Sequence, residues 1–323
     1  MILTNPQLTN FINRIKLQSS DMPKYRTQLA NLRDKLEAKI KNDGETGVRV
    51  TRSIIAGSWK KRTVLRASGD HPIDVDLVLF VEGDDSFKED VTKLHDFVVQ
   101  YLREIYPTKG DDGDVEAEGK SKAITIKFAK TGLHVDIVPV VPLPKPVDYV
   151  WQPERGGGGR YITSVDRQLD GAKSVRDANA SYTGIVRALK WWRNYKELKP
   201  ELTSFMIELI VAHLEEHEGR ESDIERGIIR FFRFVSDPDF PIITFRGALH
   251  AAPTATDFPV FVADPTNNEN NTATKMSKDA WAEVVREAND AFDSLNIAQS
   301  RRDMGATMEE WKRVFGPSFT LDA

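Results

Sequence analysis

The chain of 323 residues contains no cysteine. That absence removes disulfides, thiolate zinc sites and a cysteine nucleophile from consideration. No apolar run is long enough to span a bilayer. The opening MILTNPQLTNFINRIK lacks the charged-then-apolar order of a secretory leader, so the expected compartment is the cytoplasm. Positive charge is not in excess: 45 Lys and Arg against 49 Asp and Glu give a net charge of −4. No global field therefore draws the chain to nucleic acid, and no obligatory nucleic-acid or membrane partner is expected. Repeats and low-complexity tracts are also missing. What is present, 40% hydrophobic and 29% charged residues, suits a globular protein long enough for two lobes.

The most informative segment runs from Gly57 to Asp76, GSWKKRTVLRASGDHPIDVD, with Asp136 following in LHVDIVPVV. Gly57-Ser58 makes a turn that can expose backbone N–H groups, and Lys60, Lys61 and Arg62 supply cationic charge. Asp74 and Asp76 alternate on a β-type run and so point to one face. A third carboxylate from a neighbouring strand would complete a cage for divalent cations. Two Mg²⁺ ions about 3.5–4 Å apart would clamp the attacking and leaving oxygens of a phosphoryl transfer. Each piece alone is common, since a D-x-D is often a solvated edge and Gly-Ser is mostly a turn. The segment IDVDLVLFV, however, is mostly apolar and reads as buried, where unpaired carboxylates are expensive. Joined in this order, the pieces point to a nucleotidyltransferase.

Periodicity supplies the frame. Pro23 opens a helix to about Asn42, with Leu29, Leu32, Leu36 and Ile40 on one face and Gly44 stopping it. VRVTRSIIAGS reads as a strand, Ser58 to Leu65 as a short helix whose N-terminus suits a phosphate, and 86–106 as a helix. The run from Lys109 reads as a hairpin-like turn, and AITIKFA and LHVDIVPVV as paired strands. Prolines between Pro139 and Pro153, then Gly156 to Gly159, read as a crossing between lobes. Beyond it, Ile185, Ala188, Leu189 and Trp192 mark one helix, LTSFMIELIVAHLEEH another, and further helices are expected near 222–235, 277–295 and 304–315. The expected domains are 1–150, a catalytic core including the N-terminal helix, and 151–323, a helical lobe.

The succession G-S…K…T…D-x-D, V-D-I-V-P, R-x-x-K-x-W, S-F-x-x-E-L and D-P-x-N-x-x-N-N resembles the CD-NTase family. These are the cyclic GMP–AMP synthase-like and bacterial dinucleotide cyclase-like nucleotidyltransferases, relatives of the oligoadenylate synthases. The tail WKRVFG with SFMIELIVAHL is most similar to the bacterial CBASS antiphage branch associated with HORMA-domain regulators. The resemblance implies an α+β fold, a polymerase-β-like sheet-and-helix core packed on a helical C-terminal lobe with a cleft between. It implies metal-dependent synthesis of a cyclic di- or trinucleotide from nucleoside triphosphates, ATP foremost, with release of pyrophosphate. Asp74, Asp76 and Asp136 stand where the family holds two Mg²⁺ ions, with Mn²⁺ as a substitute, and Asp136 would orient or deprotonate the attacking ribose hydroxyl. Gly57 and Ser58, with Lys61 nearby, stand where the family cradles the β- and γ-phosphates. Arg187 and Lys190 match triphosphate contacts, Ser204 a phosphate contact and Phe205 a base-stacking aromatic. Asp264 and Asn271 belong to an element kept near the nucleotide pocket.

The chain departs from the family pattern at Arg62, which replaces the glycine usual before Thr63, and in an extended loop carrying Gly69-Asp70-His71-Pro72. Arg62 could add a phosphate contact or restrict the backbone near the donor. His134 shares a face with Asp136 and either tunes it or is a packed structural histidine. Three rivals stand beside this reading. His213-Leu-Glu-Glu-His217 fits the H-x-x-E-H zinc-peptidase pattern, with Glu216 as base. A patch of Arg49, Arg52, Lys60, Lys61 and Arg62 fits transfer to RNA, and protein or small-molecule acceptors belong to the same alternative. The third is an inactive nucleotide-sensing scaffold.

Overall fold

The computed structural model describes residues 1–44, 46–69, 71–83, 93–107, 115–116, 123–153, 160–199 and 201–322. Asp70, the Gly156–Gly159 stretch, the start of the helix expected over 86–106 and most of the acidic run from Lys109 lie outside them. The chain divides into two compact units. One is Leu17–Leu169; the other joins Met1–Lys16 to Asp170–Ala323. Helix α1 (Asn5–Ile15), first in sequence, belongs to the second.

The first unit is built on a sheet. Helix α2 (Met22–Asn42) starts with Pro23 in its first turn, where a missing N–H breaks no helical bond, and buries Tyr25, Leu29, Leu32, Leu36 and Ile40. It is followed by β1 (Arg49–Ile55), α3 (Gly57–Lys61), β2 (Ile73–Glu82), α4 (Lys93–Ile105) and β3 (Val115–Glu116). Then come β4 (Ile124–Phe128), β5 (Leu133–Pro142), β6 (Val150–Pro153) and β7 (Arg160–Thr163). The strand order is β1-β2-β5-β4-β3, with β6 on β5 and β7 on β6. Only the β2–β5 pair is parallel among the described strands.

Alternation sorts the two faces of this sheet. Ile73, Val75, Leu77, Leu79 and Val81 of β2 join Leu133, Val135 and Ile137 of β5 in one core with the apolar stripes of α2 and α4. The opposite face of β2 changes character along its length. Asp74 and Asp76 come first; Val78 and Phe80 then enter a smaller core with Ala56, Val138, Val140, Val150 and Val165. The expectation that both carboxylates are buried therefore needs correction, since Asp74 is exposed and Asp76 half-buried. The strand is covered on one face throughout and on the other only past Leu77.

Two further expectations change. The short helix ends at Lys61 rather than Leu65, because Arg62 turns into the left-handed region. The proline-rich stretch from Pro139 does not leave the first unit; its two ends are strands joined by the turn of Pro144 and Pro146. β5 continues to Pro142 and there pairs with β6.

The second unit is mainly helical. Helix α5 (Val165–Ala178) spans the division in sequence, followed by α6 (Tyr182–Tyr195), α7 (Ser204–His217) and α8 (Ile224–Val235). A hairpin of β8 (Ala263–Asp264) and β9 (Asn267–Asn271) precedes α9 (Lys278–Ser300) and α10 (Met304–Phe315). The α9 helix runs five residues past the expected end at Leu295 because Ala298 is also buried against the core. Helix α6 contacts α1, α7, α8 and α10, and its Ile185, Leu189 and Trp192 are completely buried. Trp192 meets Phe231 and Phe232 edge-on, while Phe11 packs against Trp191, Phe315 and Phe319. Among the described residues no helix is long and apolar enough to cross a membrane.

The α6–α8 contact relies on a small residue. A Cβ built on Gly227 would lie 2.4 Å from Cδ1 and 3.0 Å from Cγ1 of Ile185, itself fully buried. Gly227→Ala gains about 1 kcal/mol of helix propensity but overpacks this contact by about 1–3 kcal/mol. Urea unfolding of the variant is expected to show a net loss of stability.

Candidate functional site

Parallel pairing of β2 with β5 sets Asp74 opposite His134 and Asp76 opposite Asp136. Residues opposite each other in a ladder point to the same face, so these four side chains form a two-by-two array at the N-terminal ends of the two strands. The antiparallel neighbour β4 adds a third column, Thr125 opposite Asp136 and Lys127 opposite His134. The Thr125 hydroxyl donates to Oδ1 of Asp136 at 2.6 Å. His134 sits nearer to Asp74 than expected for a partner of Asp136, with Nδ1 4.0 Å from Asp74 Oδ1. Sequence reading missed Thr125, although its place in the alternating AITIKFA puts it on the polar face.

Among the described residues no three carboxylate or imidazole groups close into a finished metal cage. The donor set nevertheless fits a hard divalent cation. Mg²⁺ keeps several waters and is held by one or two carboxylates plus substrate phosphates rather than by an all-protein cage. An array of aspartates, open at Asp74 and half-covered at Asp76 and Asp136, leaves room for both.

The Gly57 turn is built onto this array. Ala56 N–H donates to the Asp76 carbonyl at 2.8 Å, tying the turn to the strand. Gly57 has φ +55°, and a Cβ there would fall 1.7 Å from Oδ2 of Asp76. Glycine is thus required twice, by the backbone conformation and by the carboxylate lying on its Cα. Ser58 follows in the first turn of α3, and its carbonyl accepts from Thr63 N–H at 2.9 Å. Lys61 is buried, whereas Lys60 and Arg62 are exposed. Arg62 caps α3 at φ 62° and ψ 37°, a conformation that glycine adopts without the Cβ penalty. The departure from the family glycine is therefore a backbone matter, with the guanidinium left on the surface.

The remaining candidates lie in the helical unit. Lys190 is buried in α6, and Arg187, one turn earlier, is partly buried, its guanidinium pulled below its usual pKa by that burial. Ser204 opens α7, whose cap is Thr203, accepting from Met206 N–H at 3.1 Å. Ser204 Oγ accepts from the buried Arg193 at 3.1 Å, and Arg193 also donates to Asn194 and to the Leu202 carbonyl. Phe205 is half-buried. Asp264 and Asn271 are buried and engaged locally. Asp264 Oδ1 accepts from both the N–H and the hydroxyl of Thr266, each at 2.8 Å. Asn271 accepts from Val262 and Ala273 N–H groups and donates to the Val260 carbonyl. These bonds hold the β8–β9 hairpin.

The zinc-peptidase pattern does not assemble. His213 and His217 stack with ring centroids 4.0 Å apart, and His217 Nδ1 lies 2.9 Å from the His213 carbonyl of its own helix. Glu216 lies 3.7 Å from Arg246, and no third ligand joins the pair among the described residues.

Two outcomes follow from these contacts. Gly57→Ala is expected to displace the Asp76 carboxylate and cut nucleotidyl transfer by about 100-fold or more while the protein stays folded, measured by product formation beside thermal melting. Burial, then the neighbouring His217, pushes the His213 pKa down from 6.5 to about 4. The unfolded chain binds that proton more readily, so stability is full above about pH 6.5 and is lost as pH falls towards 4. His213→Gln should flatten that part of a pH-dependent unfolding series.

Residues 1–164 match the family model of the Second Messenger Oligonucleotide or Dinucleotide Synthetase domain. A CBASS oligonucleotide cyclase, CdnC, of Escherichia coli (strain KTE188) is 31% identical over 324 residues, covering 100% of this chain and 99% of that protein. A cyclic AMP-AMP-AMP synthase of Escherichia coli (strain MS 115-1) is 30% identical, covering 95% and 94%. Among solved structures, E. coli MS115-1 CdnC with ATP superposes with TM-score 0.80 at 27% identity, over 98% of this chain and 99% of that one. The CdnC:HORMA-deltaN complex gives 0.77 at 26% identity, over 98% of both. With the aspartate array, the Gly57 turn and these full-length similarities, the chain belongs to the CD-NTase family of metal-dependent nucleotidyltransferases, in its CBASS branch.

Proposed function

We propose that the chain condenses nucleoside triphosphates, ATP foremost, into a cyclic oligonucleotide messenger for antiphage signalling. The observation that carries this is Asp76 paired with Asp136 across parallel strands, with Asp74 on the same face and the Gly57 turn resting on the Asp76 carboxylate. In each step a ribose hydroxyl oxygen bonds to the donor's α-phosphorus. The bond from that phosphorus to the β-bridging oxygen breaks, pyrophosphate leaves, and Asp136 takes the hydroxyl proton. Asp74, Asp76 and Asp136 would hold two Mg²⁺ ions, with Mn²⁺ as a substitute. Bound cations supply positive charge to the transferring phosphoryl group. The rest of the task is alignment of two anionic partners.

In this reading the sheet unit is the catalytic core, with Gly57, Ser58 and Lys61 on the donor phosphates. Arg187 and Lys190 are the triphosphate contacts of this reading and Phe205 its base-stacking aromatic. Ser204 accepts from Arg193 and keeps its own hydroxyl proton for a phosphate oxygen. Asp264 and Asn271 hold the β8–β9 hairpin and, in this reading, keep that element at the nucleotide. The relatives' names support ATP and a cyclic trinucleotide, and the CdnC:HORMA-deltaN complex supports a HORMA-domain regulator for this chain too.

The test incubates purified protein with ATP, GTP, CTP and UTP and Mg²⁺ or Mn²⁺, with and without a HORMA-domain partner, and analyses products by mass spectrometry. Phosphatase-resistant cyclic species are expected, falling below about 1% of that level in Asp76→Asn and in Asp136→Asn. Silence under every condition would refute the reading.

A further inference from the structure

The third aspartate is not held by its strand alone. Thr125 is 1% exposed, lies directly opposite Asp136 in the β4–β5 ladder, and donates its hydroxyl to Asp136 Oδ1 at 2.6 Å. A hydroxyl this deeply buried needs an acceptor, and a charged one at this distance makes a strong bond. Threonine is β-branched and stiff about χ1, so the hydroxyl is itself a fixed point. The two partners also sit on neighbouring strands in the middle of the sheet, where β4 is flanked by β5 and β3.

We propose that Thr125 is a positioning residue that fixes the rotation of the Asp136 carboxylate, committing Oδ1 to the protein and presenting Oδ2 to the cation and the acceptor hydroxyl. A carboxylate offers about four lone-pair sites on two oxygens and turns easily about its Cβ–Cγ bond. A group that must face a cation and also receive a proton in a defined direction gains from losing that freedom. Supporting bonds of this type set ligand orientation elsewhere, and their loss typically costs about 10–100-fold in metal affinity or rate. The inference rests on the proposed nucleotidyl transfer for its catalytic part only; the hydrogen bond and its effect on cation binding stand apart from product identity.

Thr125→Val keeps the shape and deletes the hydroxyl, whereas Thr125→Ser keeps the hydroxyl. Mn²⁺ is titrated into each protein with a non-hydrolysable ATP analogue, and free Mn²⁺ is followed by electron paramagnetic resonance. Steady-state kinetics with ATP and thermal melting accompany it. The valine variant is expected to bind Mn²⁺ about 10–100-fold more weakly and to lose a similar factor in kcat, with KM for ATP nearly unchanged. Serine should recover most of both. Unchanged Mn²⁺ binding and kcat in Thr125→Val would overturn the proposal. So would equal losses in both variants with lowered melting temperatures, which mark a packing role, or failure of the unsubstituted protein to bind Mn²⁺ at all. Failure of the cyclase reading looks different: Mn²⁺ binding would still depend on Asp76 and on Thr125 while no cyclic product formed.

Discussion

The register between β2 and β5 is the constraint on which the site depends. A slip of one residue would turn every side chain on a strand to the other face. It would send Asp76 into the core and Val75 or Leu77 to the solvent. The core prevents this. Val75 pairs with Val135 and Leu77 with Ile137, and all four are essentially inaccessible to solvent. Further along, Val78, Phe80, Val138 and Val140 are covered on the opposite face as well. The strands are therefore locked from both sides at one end and open on one side at the other, and the carboxylates occupy the open end. An array of carboxylates, with like charges close together, is anchored by apolar contacts a few residues away.

The same residue types carry different duties in the two units, and burial separates them. Asp74 and Asp76 stand on a strand face that reaches solvent, where hydrated cations and phosphates can approach. Asp264 and Asn271 are buried, with hydrogen bonds to backbone N–H groups two residues away or across the hairpin. A motif rich in aspartate and asparagine does not reveal which of these it is, because both uses exploit the same short, polar side chain.

What the sequence disclosed follows from which interactions are local. The boundaries of α2 and α10 were legible because an apolar stripe runs through each, with Pro23 in the first turn of α2 and Asp303 capping α10. The D-x-D strand was legible from its alternation. Helix α5 was not, since Val165 is its only buried residue and no stripe marks it. The β6 strand was hidden by the prolines around it and by Pro153, which ends the strand itself. Helix α1 did carry a signal, Thr4 and Gln7 forming a capping box around Pro6, with Leu8, Phe11, Ile12 and Ile15 on one face. At the site, Gly57 and the aspartates could be named from their order. Thr125 could not, since its bond to Asp136 spans eleven residues that only a folded register brings together. The left-handed Arg62 escaped for a related reason, as nothing local to an arginine marks that conformation.

The two-unit division has a consequence for synthesis on the ribosome. Residues 17–169 form their compact unit from one unbroken stretch, so that unit can close as soon as its last strand has emerged. Helix α1 leaves the ribosome before all of it, yet its partners are in α6 and α8 and in the closing aromatic group of Phe315 and Phe319. For most of translation, Leu8, Phe11, Ile12 and Ile15 have nothing to pack against. Helix α1 is made well before its partners, and until they emerge its apolar face is a natural point for a chaperone to hold.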